Sequence, residues 1–387
     1  MNTPKIFVVG AGTMGQGIAQ LAAQKGHDVC LYDLHSIALE KAKSQIEKSL
    51  EKLVEKGKLT QEKQVEILGK LKFVNELHEV AHSDLVIEAI VEDVAIKHKV
   101  FIALEALASE DCILATNTSS LSIASIAVAF KVPSRFLGIH FFNPATLMPL
   151  VEIIPSVLTD PKITVKAKAY IDGLGKDTVV CKDTPGFIVN RVARPFYGEA
   201  LRMYEEGIAD FATIDWAMKT FGGFKMGPFE LMDYIGNDVN YTVTETVFEA
   251  FYFDPRFKPS FTQKRLKEAG LWGKKTGRGF YSYDPNEEKP KPNTDEKLGM
   301  EIFNRILSML VNEAYDAVFM QVASPKDIDL AMVKGVNYPK GLLEWSVAMG
   351  PEKILATLET LFLEYGEDRY RPNPLLRKCV REGLILG

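Results

Sequence analysis

The chain has 387 residues, 47% of them hydrophobic and 25% charged, with a formal net charge of −5. This is the profile of a globular protein of two or three domains, and it lacks the basic bias that nucleic acid or an anionic membrane surface would require. Cys30, Cys112, Cys181 and Cys379 are scattered without metal-ligand or disulfide spacing, so no metal site is expected.

The chain opens directly into an apolar strand, with no leader ahead of it and no apolar run near the ~18 residues of a membrane span, so a cytoplasmic location is expected. Residues 5–15, KIFVVGAGTMG, run from that strand through Gly10, Gly12 and Gly15 into a small-residue helix. Glycines so placed allow a tight turn, close backbone approach to a pyrophosphate and close helix packing, while the helix N-terminus offers unpaired N–H groups to phosphate. The next strand, HDVCLYD, ends on Asp33, about 20 residues past the first glycine, where an acid accepts hydrogen bonds from ribose hydroxyls. An acid there repels a 2′-phosphate and no arginine adjoins it, which favours NAD over NADP.

Residues 36–71 read as a charged helical hairpin, and Lys52, Lys56 and Lys58 on it are either a solvated face or contacts for an anionic ligand. Short apolar strands then resume as LKFV, DLVIEAI and CILATNT, separated by helical segments, as in a doubly wound, mostly parallel α/β sheet of Rossmann type. Ligands of such sheets bind beyond the carboxyl ends of the strands, which directs Glu92, Lys97, Asn117, Ser119 and Ser120 toward the cofactor crevice. For Ser119 and Ser120 the competing reading is helix N-capping.

The strand RFLGIH delivers His140 to the same edge, ahead of a Phe-Phe-Asn-Pro turn. A lone histidine in an apolar run is usually a core residue. Glu152, flanked by Leu, Val and Ile in the next strand, changes this, because a carboxylate there is costly to bury without a partner. Paired, the two make an acid/base device in which the carboxylate sets the imidazole tautomer.

The expected first domain spans residues 1–184, ending at Thr184-Pro185-Gly186. Beyond it the pattern is helical and repeats. Laying Asn190 onto Asn304 also lays Gly227 onto Gly341 and Glu230 onto Glu344, and a one-residue shift lays PRFKP onto DRYRP. Two tandem all-α domains are therefore expected, at 185–283 and 298–387, joined by an exposed linker at 284–297. The second copy ends without a counterpart of KKTGRGFY.

The ordered series GAGTMGQGIA, VIEAIVED, NTSSLSI, GIHFFNP, MPLVEII, DTPGFIVNR, MGPFELMD and TGRGFY closely resembles the L-3-hydroxyacyl-CoA dehydrogenases, including the 3-hydroxybutyryl-CoA dehydrogenases, over about residues 5–283. The resemblance implies NAD-dependent oxidation of (S)-3-hydroxyacyl-CoA to 3-oxoacyl-CoA, in β-oxidation or short-chain acyl-CoA metabolism. It implies that His140 is the catalytic base, that Glu152 orients it, and that Ser119 and Asn190 contact the thioester substrate. It also implies that Asp33, Glu92, Lys97 and Asn117 line the cofactor site. In two-domain relatives the helical domain makes the dimer, so the second copy here is expected to stand in the partner's place, giving a monomer with an internal pseudo-dimer, or else a weak homo-oligomer. Asn304, with no second histidine to serve, reads as a remnant. Two alternatives stay open: a hydroxy-acid or sugar-acid dehydrogenase of the same superfamily, and a non-catalytic NAD-binding scaffold.

Overall fold

The computed structural model describes residues 3–386 and resolves the chain into two compact units, Met1–Thr184 and Pro185–Gly387. The first is built on an eight-stranded sheet in the order β3-β2-β1-β4-β5-β6-β7-β8. Its strands are β1 (Ile6–Val9), β2 (Val29–Tyr32), β3 (Leu71–Val74), β4 (Leu85–Glu88), β5 (Ile113–Thr116), β6 (Phe136–Phe141), β7 (Leu150–Pro155) and β8 (Asp177–Val180). β1, β4, β5 and β6 are buried at every position, because helices cover both faces, and this explains their unbroken apolar sequences.

Six helices connect the strands: α1 (Thr13–Gln24), α2 (Ser36–Glu55), α3 (Gln61–Gly69), α4 (Val94–Leu107), α5 (Ile123–Ala127) and α6 (Pro161–Gly173). Short polar side chains start several of them: Thr60 accepts from the Lys63 N–H, Asp93 from Ile96 and Ser122 from Ser125. The chain order reverses between β1 and β4, and the crevice above such a switch point is where open α/β sheets take ligands. One pair breaks the parallel pattern: β7 runs antiparallel to β6, with His140 directly opposite Glu152.

The second unit is helical: α7 (Val189–Val192), α8 (Arg194–Glu205), α9 (Phe211–Gly222), α10 (Pro228–Ile235), α11 (Asn237–Ala250) and α12 (Phe261–Glu268), then α13 (Glu296–Phe319), α14 (Pro325–Gly335), α15 (Leu342–Met349), α16 (Pro351–Tyr365) and α17 (Pro374–Glu382). α13 starts inside the stretch expected to be linker, because Asp295 caps it by accepting from the Leu298 N–H.

The sequence repeat has a geometric counterpart. Arg191 pairs with Glu313 at 2.7 Å, and the residues matching them in the other copy, Arg305 and Glu199, pair at 2.6 Å. Arg256 reaches Glu313 at 3.1 Å, and its match Arg369 reaches Glu199 at 3.4 Å. Each surface thus meets its own equivalent, the signature of an isologous twofold interface, here within one chain. Asp215 accepts from the N–H groups of Phe229 and Glu230 at the start of α10, and Asp329 accepts from Leu343 and Glu344 at the start of α15. A side chain at Gly227 would strike Asp215, and one at Gly341 would strike Asp329, so both turns need glycine. Among the described residues the first copy alone adds a tyrosine hydroxyl, that of Tyr281, to its aspartate.

Candidate active site

The glycine turn is shaped by three different requirements. Gly10 has φ +104°, and a Cβ there would lie 2.6 Å from the Ala89 carbonyl oxygen. A Cβ on Gly15 would overlap the Gly10 carbonyl, so that glycine lets α1 pack against the turn. At Gly12 a Cβ would meet no atom within 4 Å, which leaves open space above the turn. Gly12 is also the N-cap of α1, with no side-chain cap and no acid in the first turn, so the N–H groups of that turn are available to an anion.

Asp33, just beyond β2, braces this cradle: Oδ2 accepts from the Ala11 N–H at 2.8 Å and Oδ1 from His35 at 3.0 Å. Its remaining lone pairs suit ribose hydroxyls. An NAD molecule fits this set of residues: open space over Gly12, an uncapped helix end for the pyrophosphate, and an acid beside the turn.

The ends of β4 and β5 are joined by a buried charge network that reaches beyond the expected residues. Lys97, only 1% exposed, donates to Glu88 at 2.6 Å and lies 3.2 Å from Glu92. Glu88, fully buried, also accepts from the Ile90 N–H at 2.7 Å and from the Thr116 hydroxyl at 2.7 Å. Glu92 accepts from the Thr118 hydroxyl at 2.6 Å, the Ser119 N–H at 2.9 Å and the Ser120 hydroxyl at 3.4 Å. Burial opposes ionisation of Glu92, but the Thr118 hydroxyl, the Lys97 ammonium and the Ser119 N–H together hold its carboxyl below the usual range. Lys97 thus sits as a buried tie between two carboxylates, and Glu92 shapes the turn that carries Ser119.

Capping falls to Ser122, not to Ser119 or Ser120. Sequence reasoning passed over Glu88, although an acid inside LVIE carries the same signal that picked out Glu152.

His140 lies near the carboxyl end of β6, 6% exposed, and its Nδ1 is 2.7 Å from Oε2 of the fully buried Glu152. The Phe142 ring packs 4.5 Å from the imidazole, centroid to centroid. Asn117, just past β5, accepts from the Phe141 N–H at 2.8 Å and so ties the end of β5 to the strand bearing the histidine. The loop between β6 and β7 is held by Lys176, whose ammonium donates to the carbonyls of Ala145 and Met148, each at 2.7 Å. Its Ala145 packs close to Gly17 of α1, where an added Cβ would come within 3.4 Å, so the histidine's loop lies against the glycine-turn helix. Nothing in the sequence singled out Lys176.

The expected residues of the first unit therefore gather along one edge of its sheet. Asn190 lies half-buried on α7 of the second unit, and Asn304 lies on α13. Lys52, Lys56 and Lys58 are exposed.

Comparison with known proteins identifies the family. The sequence model described as the 3-hydroxyacyl-CoA dehydrogenase NAD-binding domain matches residues 5–184, and the model of that family's C-terminal domain matches residues 186–283 and 302–385. The chain is 38% identical to a 3-hydroxyadipyl-CoA dehydrogenase of Escherichia coli over 98% of both chains. It is 44% identical to the mitochondrial hydroxyacyl-coenzyme A dehydrogenase of Sus scrofa over 72% of this chain and 90% of that one. Its fold matches the crystal structure of a 3-hydroxybutyryl-CoA dehydrogenase from Escherichia coli with a TM-score of 0.93 and 36% identity, over 99% of each chain. The chain belongs to the 3-hydroxyacyl-CoA dehydrogenase family and is an NAD-dependent oxidoreductase of 3-hydroxyacyl-CoA.

Proposed function

We propose that His140 is the general base of the oxidation and that Glu152 is its positioning partner. The observation that carries this reading is the buried 2.7 Å contact between Nδ1 and the carboxylate. A carboxylate only accepts, so Nδ1 holds its proton and Nε2 is left as the basic nitrogen. Nε2 takes the proton of the substrate's 3-hydroxyl, and Glu152 offsets the charge of the imidazolium that forms. In the reverse direction the same nitrogen returns the proton. Bound NAD supplies the nicotinamide ring that accepts hydride from the hydroxyl-bearing carbon.

Asp33 accepts from the ribose hydroxyls, and the first turn of α1 takes the pyrophosphate. Asn117 lines the cofactor site, while Glu92 and Lys97 hold the turn that flanks it. Ser119 and Asn190 contact the thioester end of the substrate. The family resemblance is the support for these two contacts.

The acyl-CoA reading extends to β-oxidation or short-chain acyl-CoA metabolism in the cytoplasm. Among the described residues no helix is long and apolar enough to cross a membrane. Because the helical unit already contains an isologous interface, we propose a monomer with an internal pseudo-dimer. Light scattering that found a tight dimer would overturn that assignment.

The central test compares acetoacetyl-CoA with free acetoacetate, each with NADH. Turnover of the thioester, lost in His140→Ala while NADH still binds, is the expected result. Turnover of the free acid alone would overturn the assignment.

A further inference from the structure

Two lysines are buried among the described residues, Lys97 and Lys176. Lys97 lies between the carboxylates of Glu88 and Glu92. Lys176, 9% exposed, meets two carbonyls instead, those of Ala145 and Met148, each 2.7 Å from its ammonium. Burial and the nearby Lys25 both push its pKa below the usual lysine range, so a charge kept here is costly. An apolar side chain would fill the same space without that cost, but it could not hold the two carbonyls.

Those carbonyls belong to the loop between β6 and β7, the strands that carry His140 and Glu152. Within it the Pro144 carbonyl accepts from the N–H groups of both Leu147 and Met148, so the loop is a compact turn, and fixing Ala145 and Met148 fixes it as a unit. One end of the loop leads back to His140 through Phe142, whose ring packs on the imidazole. At the other end Asp177, the residue after Lys176, donates its N–H to the Pro149 carbonyl at 2.9 Å and opens β8, whose Val179 pairs with Glu152. Lys176 thus stands where the loop meets the strand beside Glu152.

The same loop touches the helix that begins at the glycine turn. A Cβ on Gly17 of α1 would lie 3.4 Å from the Ala145 methyl. Lys25, the C-cap residue of α1, reaches the backbone beside Lys176, where a Cβ on Gly175 would lie 3.0 Å from its ammonium. The turn that follows the histidine is therefore held by Lys176 and in contact with the helix of the anion cradle.

We propose that Lys176 is a positioning residue for the reaction: by pinning this loop it sets the His140 imidazole at the depth and angle that proton transfer requires. This rests on the assignment of His140 as the base. A misplacement of about 1 Å in a reacting group costs on the order of 100-fold in rate.

The test is a double-variant cycle in the full chain, with kcat for acetoacetyl-CoA reduction and the Kd for NADH as readouts. Lys176→Ala should lower kcat by about 100-fold and leave the NADH Kd within about twofold of native. Made in a His140→Ala protein, it should cost less than about twofold further, because the imidazole it positions is gone. Propylammonium, which supplies the methylenes and the ammonium removed, should restore part of the lost turnover in Lys176→Ala and none in His140→Ala. A kcat within a few-fold of native in Lys176→Ala overturns the proposal. So do losses that multiply in the double variant, the mark of a general structural role, and so does a parallel loss of NADH affinity. Should Lys176→Ala not fold, Lys176→Gln, which keeps amide donors at the position, carries the same cycle with a smaller loss in kcat. Native turnover in His140→Ala would refute the base assignment itself, whereas multiplied losses beside a strongly impaired His140→Ala would refute only the role of Lys176.

Discussion

Nδ1 of His140 and Oε2 of Glu152 lie 2.7 Å apart because their residues are direct partners across the antiparallel pair of β6 and β7. The contact is built into the sheet ladder, and both side chains are buried. Glu152→Gln keeps the shape but removes the charge that sets the tautomer. It should lower kcat by about 10³–10⁴-fold, the scale seen when a carboxylate–histidine pair loses its carboxylate. NADH affinity, read by fluorescence titration, should stay near the native value. A kcat within a few-fold of native would refute the pairing role.

The glycines of the turn should fail in different ways. Gly12→Ala places its methyl in open space, so thermal stability should hold while the Kd for NADH rises by about tenfold or more, because the cradle is filled. Gly15→Ala drives its methyl into the Gly10 carbonyl, so it should lower both Tm and affinity. Calorimetry beside NADH titration separates the two, and a large Tm loss in Gly12→Ala would contradict the open cradle.

The depressed pKa of Glu92 gives a pH signature. An acid whose folded-state pKa lies below its unfolded value of 4.5 adds stability that is complete above that pH and is lost as the pH falls through the folded value. Glu92→Gln should therefore cost about 1 kcal/mol at neutral pH, allowing for solvent screening at a side chain 37% exposed, with the difference shrinking as the pH falls below the unfolded value of 4.5. Urea unfolding across pH 3–7 measures it, and a difference that grows on acidification would contradict the sign.

In the helical unit, Arg191→Met and Arg305→Met remove equivalent members of the two central ion pairs. Each leaves a buried carboxylate short of its partner, and each should cost about 3–5 kcal/mol in denaturant unfolding of the full chain. Similar losses are expected because the environments repeat. A large loss in one and none in the other would show that the pairs are not equivalent.

Much of this was legible in the chain because the signals are local. The glycine spacing, Asp33 at a strand end, and the apolar strands that imply a sheet covered on both faces all depend on neighbours in sequence. Glu152 could be matched to His140 because an acid in an apolar strand demands a partner. The same argument applies to Glu88, inside VIEAIVED, but its partners Lys97 and Thr116 stand 9 and 28 positions further along the chain and meet it only in the fold. Lys176 stands just ahead of a strand where lysine is ordinary, so its burial against two carbonyls could not be read from residue types.

By itself, then, the sequence determined the glycine turn, the candidacy of His140 and Glu152 as partners and the duplication of the helical region, since periodicity, spacing and internal repetition are properties of a single string. Only the tertiary structure decided that β7 runs antiparallel and so sets Glu152 opposite His140. It alone decided that Lys97 is bound between Glu88 and Glu92, and that the two helical copies exchange the Arg191–Glu313 and Arg305–Glu199 pairs. Strand direction, burial and partner choice depend on residues far apart in the chain, and their energies are defined only once water has been excluded around them.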